Sequence, residues 1–206
     1  MTKQGTERVM SKADAVSMIL FMLAGAAIAV VTVVAAVMRI VEVLPGRDVR
    51  VFAEFAGTVA QAPIGPDGEA APVELDTGWV IAPELPAASV GAIVIQQIIL
   101  AGAVITVVTC LLLVTNSILR GRMFSRTNTR LVTVAGFVAI VGYAAMPFFG
   151  NMGANGAFVR ISDGTFDNVI MAVDLYPLIL LAFLAALGSL TFTVGERIRR
   201  DTEGLV

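Results

Sequence analysis

Residues 85–119, LPAASVGAIVIQQIILAGAVITVVTCLLLVTNSIL, run for 35 positions between Glu84 and Arg120 without an Asp, Glu, Lys or Arg. A helix crosses a bilayer core with about 20 apolar residues, so this stretch holds one crossing and is too short for two with a turn. Pro86 and the Ala-Ala-Ser after it read as a lead-in, which puts the helix at about 90–118. Three other charge-free stretches behave alike: 15–38, 131–159 and 175–195. They predict helices at about 15–38, 130–149 and 172–195, with Pro147–Gly156 as the exit loop of the third. The first has a basic start (Lys3, Arg8, Lys12) like a signal peptide. Its 24-residue apolar run exceeds the ~7–15 of a signal core, so a retained helix is expected.

Composition agrees with this reading. The 206 residues are 57% hydrophobic and 15% charged, against about 25% charged in soluble domains. Mean hydropathy is +0.88. The chain has no histidine and one cysteine, Cys110, which excludes a disulfide framework, Cys/His zinc sites, His-ligated haem and imidazole catalysis. A net charge of −2 gives no basic field for nucleic acid. Lysine is confined to Lys3 and Lys12, and with the abundance of Ala, Val and Gly this suits a GC-rich bacterial genome.

Charge sets the expected orientation. Lys3, Arg8 and Lys12, then Arg120, Arg122, Arg126 and Arg130, then Arg197, Arg199 and Arg200 put ten of 14 cations on one side. The 39–86 and 151–174 loops hold the other four, with 11 of the 16 acids. The positive-inside rule then makes both termini and the 120–130 loop cytoplasmic.

The 39–86 loop is too long to be structureless. In 73–81, Val73, Leu75, Thr77, Trp79 and Ile81 alternate with Glu74 and Asp76, as in a half-buried strand with the first set inward. Pro63–Gly68 is turn chemistry. Residues 49–59 fit either a strand or a helix, and the hairpin they could form with 73–81 favours strand. Asp163-Gly164 after Phe158–Ile161 suggests another turn. The fold class expected is therefore a membrane all-α four-helix bundle, one domain over 1–206, with a small extracytoplasmic β-rich cap formed by both outer loops.

No charge lies deep inside a span, which argues against ion-coupled transport. Gln96, Gln97, Thr106, Thr109, Thr115, Asn116, Ser117, Ser189, Thr191 and Thr193 are expected to act as structural glue. Small residues four apart, Gly25 with Ala29 and Ala185 with Ser189 and Thr193, suit close helix packing. Asp174 directly precedes Leu175-Tyr176-Pro177, where an acid suits the positive end of a helix; an outer-interface site at Asp174 and Trp79 is the sharper alternative. Trp79 itself reads first as core or as an interfacial anchor. Arg120, Arg122, Arg126 and Arg130 would attract anionic lipid headgroups, and Asp201 or Glu203 is expected to pair with one of them. No catalytic residue, metal ligand set or cofactor is expected, and no motif for phosphate or dinucleotide binding is present.

Gly121-x-x-Phe124, then Asn128-x-x-Leu131, and the closing Arg-Arg-Asp-Thr-Glu-Gly-Leu-Val resemble the bacterial membrane proteins grouped as Domain of Unknown Function 2975. Met123 stands where that family usually has Pro. The resemblance implies a four-helix membrane protein and, through the small helix-turn-helix regulators often encoded beside members, a regulatory or sensing role. It supplies no catalytic residues. The leading expectation is thus a non-enzymatic sensing, regulatory or scaffold component with a protein partner or a second copy of itself. A passive channel or transporter subunit is the alternative, and a lipid-acting enzyme the weakest.

Overall fold

The computed structural model describes residues 12–166, 171 and 173–203. Lys3, Arg8 and the closing Gly204-Leu205-Val206 lie outside them, as does the side chain of Glu203. The order is α1 (Lys12–Val43), β1 (Arg47–Pro63), a short turn of helix (Pro66–Gly68), β2 (Ala70–Glu84), α2 (Ala87–Leu119), α3 (Arg126–Ile161) and α4 (Leu175–Glu203). The chain is mostly helical, and all four helices are long and apolar enough to cross a membrane. Their apolar side chains stay largely exposed, as at Leu20, Leu23, Val31, Phe137, Phe183 and Leu190. The chain divides into two compact units.

The first unit comprises the described residues up to Val34, Ala101–Val141 and those from Leu175 on, all helical apart from the 120–125 link. Small residues set its packing. A Cβ on Gly25 would meet Leu112 at 3.3 Å and Val108 at 3.4 Å, and one on Gly136 would overlap Ala185. Thr133 Oγ1 and Ser189 Oγ are 3.3 Å apart. Hydroxyls inside the apolar helices donate to the carbonyl four residues back, as Thr106 does to Gly102, Thr115 to Leu111 and Thr193 to Ser189. These hydroxyls are thereby satisfied without water.

The second unit comprises Ala35–Leu100 and Gly142–Asp174. Its antiparallel hairpin pairs Val49 with Ala82, Val51 with Val80 and Ala53 with Gly78, so 49–59 is strand and not helix. Val49, Val51, Ala53 and Ala82 pack with Val43, Leu85, Ile93, Ala154, Ala157 and Phe158 in its core. The opposite face carries Phe52, Trp79 and Ile81, all exposed. The alternation expected from sequence holds at Val73–Asp76, where Val73 and Leu75 are half-buried and Glu74 and Asp76 exposed, and flips from Gly78 on, so that Trp79 and Ile81 turn outward. Both sets of β2 contain apolar residues, and the small buried side chains of β1 decide which set turns in. The register shifts between Glu54 and Thr58, where Gly57 adopts a φ of +65° that other residues reach only with strain. Pro66-Asp67-Gly68 makes the tip, with Gly65 N donating to Glu69 O at 2.9 Å.

Two expectations need correction here. Among the described residues the sheet has two strands, both from the first loop, and the described part of the second contributes no strand. Pro147–Gly156 is not a loop either: α3 continues through it to Ile161. Pro147 lacks the N–H that would bond the Tyr143 carbonyl, and beside it Gln96 of α2 donates to the carbonyl of Met146 at 3.0 Å. Gly150, Gly153 and Gly156 let α3 lie close on Gln96, Ile93 and Ser89, and this packing outweighs the local signals for a turn. Asp163 and Gly164, both with positive φ, form a turn that ends α3, where Gly164 N donates to Val159 O at 3.0 Å.

Candidate functional site

The second unit contains a cavity of about 620 Å³. Volumes of about 300–1,000 Å³ are usual for small-molecule sites. The hairpin contributes Phe52, Glu54, Phe55, Asp76, Thr77 and Trp79 to its wall. From α2 come Ile93, Gln96 and Gln97, and from α3 Tyr143, Pro147 and Asn151. Arg39 of α1 and Asp174 complete it. The hairpin, α2 and α3 are fixed by the unit's core, so the wall stands on ordered elements. Phe55 shows how: its ring packs 5.4 Å from Phe158 and 6.3 Å from Phe166.

The charge of this wall is unbalanced. Glu54, Asp76 and Asp174 line it with Arg39. The Arg39 guanidinium lies 2.9 Å from Glu42 and donates to the carbonyl of Arg50. Asp76 and Asp174 are exposed. Trp79 is 57% exposed and meets Phe52 edge-on at 5.5 Å, while the Arg50 guanidinium lies 5.3 Å from its ring centre. The cavity therefore joins aromatic surface, amides and acids. The described residues contain no cluster of three metal-ligating side chains.

The first unit holds a contrasting polar cluster, at the 120–130 link. Ser117 Oγ donates to Arg122 O at 3.0 Å, and Gly121 turns the chain at a φ of +75°. Asn128, with no exposed surface, donates from Nδ2 to the carbonyls of Arg122 and Met123, each at 2.8 Å. Its backbone N–H donates to Ser125 Oγ at 3.2 Å, a cap on α3. Phe124 meets Phe192 edge-on at 5.9 Å and fills the space left by Gly195. Glu196 is 6% exposed and accepts from Thr129 at 3.1 Å; Arg126 lies 3.4 Å from it, and Arg200 pairs with it one turn further on.

The four arginines named from sequence, Arg120, Arg122, Arg126 and Arg130, are exposed around this link. Arg126 meets Glu196, an acid the expectation did not name; Asp201 is exposed, and the pairing expected of Glu203 lies outside the described side chains. The signal was present: Glu196 ends the fourth charge-free stretch and stands four residues before Arg200. Of the outer pair, both Asp174 and Trp79 line the cavity. Glu54, Asp76 and Asn151 were missed as its partners, because only the hairpin register and the length of α3 bring them together. Gln96 is the glue expected of it, while Gln97 also lines the cavity.

Fold and site together define a helical protein with four helices able to cross a membrane and a ligand-sized cavity beside a β-hairpin. No protein-family model matches the chain, and no curated protein or solved structure does so either.

Proposed function

We propose that the chain is a non-enzymatic sensing or regulatory component of a bacterial cytoplasmic membrane. In this reading it is multi-pass, with both termini and the arginine-rich link in the cytoplasm and the hairpin outside. Ten of the 14 cations fall on the proposed inner side, which supports the orientation. The exposed apolar helix faces support the membrane setting, since water tolerates such continuous surface poorly. The observation that carries the function is the cavity, a ligand-sized space on the proposed outer side. The exposed arginines of the link would meet anionic lipid headgroups and a cytoplasmic protein partner. Membership of the Domain of Unknown Function 2975 group belongs to the same proposal. Gly121, Phe124 and Asn128, which carry that resemblance, are residues that fold the link.

Cross-linking in native membranes followed by purification tests the reading. A partner should be retained, and should be lost when Arg122 and Arg130 are both changed to Glu. Retention of no protein, together with ion or solute flux from the purified chain in proteoliposomes, would overturn sensing in favour of a passive channel.

A further inference from the structure

We infer that the cavity takes an organic cation: an amine or guanidinium group carried on an apolar, aromatic-sized frame. The inference rests on the sensing role proposed above and names its ligand class.

Charge excludes the other classes first. Asp76 and Asp174 line the cavity with exposed carboxylates, and the guanidinium of Arg39 is engaged with Glu42 and the Arg50 carbonyl. An anion entering this wall would meet the exposed carboxylates of Asp76 and Asp174, while Arg39 is already engaged. A bare divalent metal fits no better, because the acids are dispersed around the space and no three ligating groups converge among the described residues. A dispersed negative wall suits a bulky cation, whose diffuse charge costs less to remove from water than a compact one.

The aromatic lining points the same way. Trp79, Phe52 and Tyr143 contribute to the wall. The Arg50 guanidinium lies 5.3 Å from the Trp79 ring centre, so a ligand cation uses Phe52, Tyr143 and the part of the Trp79 ring that Arg50 leaves open. Ring faces beside carboxylates hold an ammonium group through charge and the hydrocarbon attached to it through contact. The approach to the site is favourable as well. Between Arg50 and Arg120 the chain carries six acids and no Lys or Arg. Arg47 and Arg50 of β1 offset part of this charge, and the remaining excess of acids favours the approach of cations.

Trp79 is the only tryptophan in the chain, so its emission reports from the cavity wall. The full-length protein in lipid nanodiscs is titrated with phenylethylamine, with neutral phenylethanol and with anionic phenylpropionate. Phenylethylamine should give a saturable change in emission at concentrations at least about tenfold below those needed for the other two. Exchanging both Asp76 and Asp174 for Asn should weaken phenylethylamine about tenfold or more, the factor that corresponds to about 1.4 kcal/mol, and leave phenylethanol unchanged. Equal binding of the three probes would overturn the cation assignment while leaving a sensing cavity in place. Absence of any saturable response would overturn the assignment too. Flux through the protein in proteoliposomes would instead overturn the sensing role on which it rests.

Discussion

Glu196 in the first unit and Asp76 and Asp174 in the second are carboxylates in opposite circumstances. Glu196 is buried and meets Thr129, Arg126 and Arg200. Asp76 and Asp174 are exposed on the wall of a cavity whose cation, Arg39, has partners of its own. Asn128 belongs with Glu196, since its amide bridges two backbone carbonyls. The difference separates polarity that holds a shape from polarity that is presented. Substitutions in the first group should therefore be read in stability, and those in the second in binding.

The largest effect is expected from Asn128→Ala. It removes two donated hydrogen bonds at a site without solvent and leaves a small void, which should cost about 2–3 kcal/mol. Thermal unfolding in detergent would show it. A wild-type melting curve would mean that the link is held by the Phe124 contacts alone, and the contrast between the units would lose its main support.

Next is Gly156→Ala. The new methyl would fall on the side chain of Ser89 and close to Pro86, so α2 and α3 must part locally, at about 1–3 kcal/mol. Adding Ser89→Gly should restore part of the loss, and non-additivity in that cycle is the diagnostic result. Gly57→Ala should cost about 1–2 kcal/mol, because the residue sits at a positive φ and its methyl would meet Glu74. Hydrogen exchange should place that loss in the hairpin. An unchanged hairpin would show that the bulge can slide, and with it Glu54, whose position in the cavity wall depends on the register.

These positions also mark how far sequence could be read. Four charge-free stretches announced the four helices, because each is a long apolar run bounded by charged residues. The hairpin was legible from alternation and from Pro66-Asp67-Gly68. Its inward face was not, since Val80 and Ala82 are as apolar as their neighbours and the choice lies with Val49 and Val51 across the ladder. The run of α3 past Pro147 was hidden for a similar reason. Proline and glycine signal a break locally, and only the fit of Gly150, Gly153 and Gly156 against α2 overrides them. The cavity depends on both features, so Asp174 and Trp79 could be singled out while the acids and amide that join them could not.

A smaller effect is expected from Asp76→Asn with Asp174→Asn. Exposed residues of this kind change stability by about 0.5 kcal/mol or less. Asn also remains an acceptable residue ahead of a helix, so α4 should begin as before. A marked fall in melting temperature would mean that these acids are structural after all, and would remove the basis for comparing them with Glu196.

The smallest change should come from Arg126→Gln, although Arg126 touches the buried Glu196. Its side chain is 72% exposed and its guanidinium 3.4 Å away, so water and salt screen the pair. Thr129 and Arg200 still meet the carboxylate after the substitution, and its acceptor atoms are not orphaned. The melting point should fall marginally at low ionic strength and match the wild type at high salt. A large loss that persists in salt would show that Arg126 orders the link through more than this ion pair. The first unit would then present, as well as bury, part of its polar cluster.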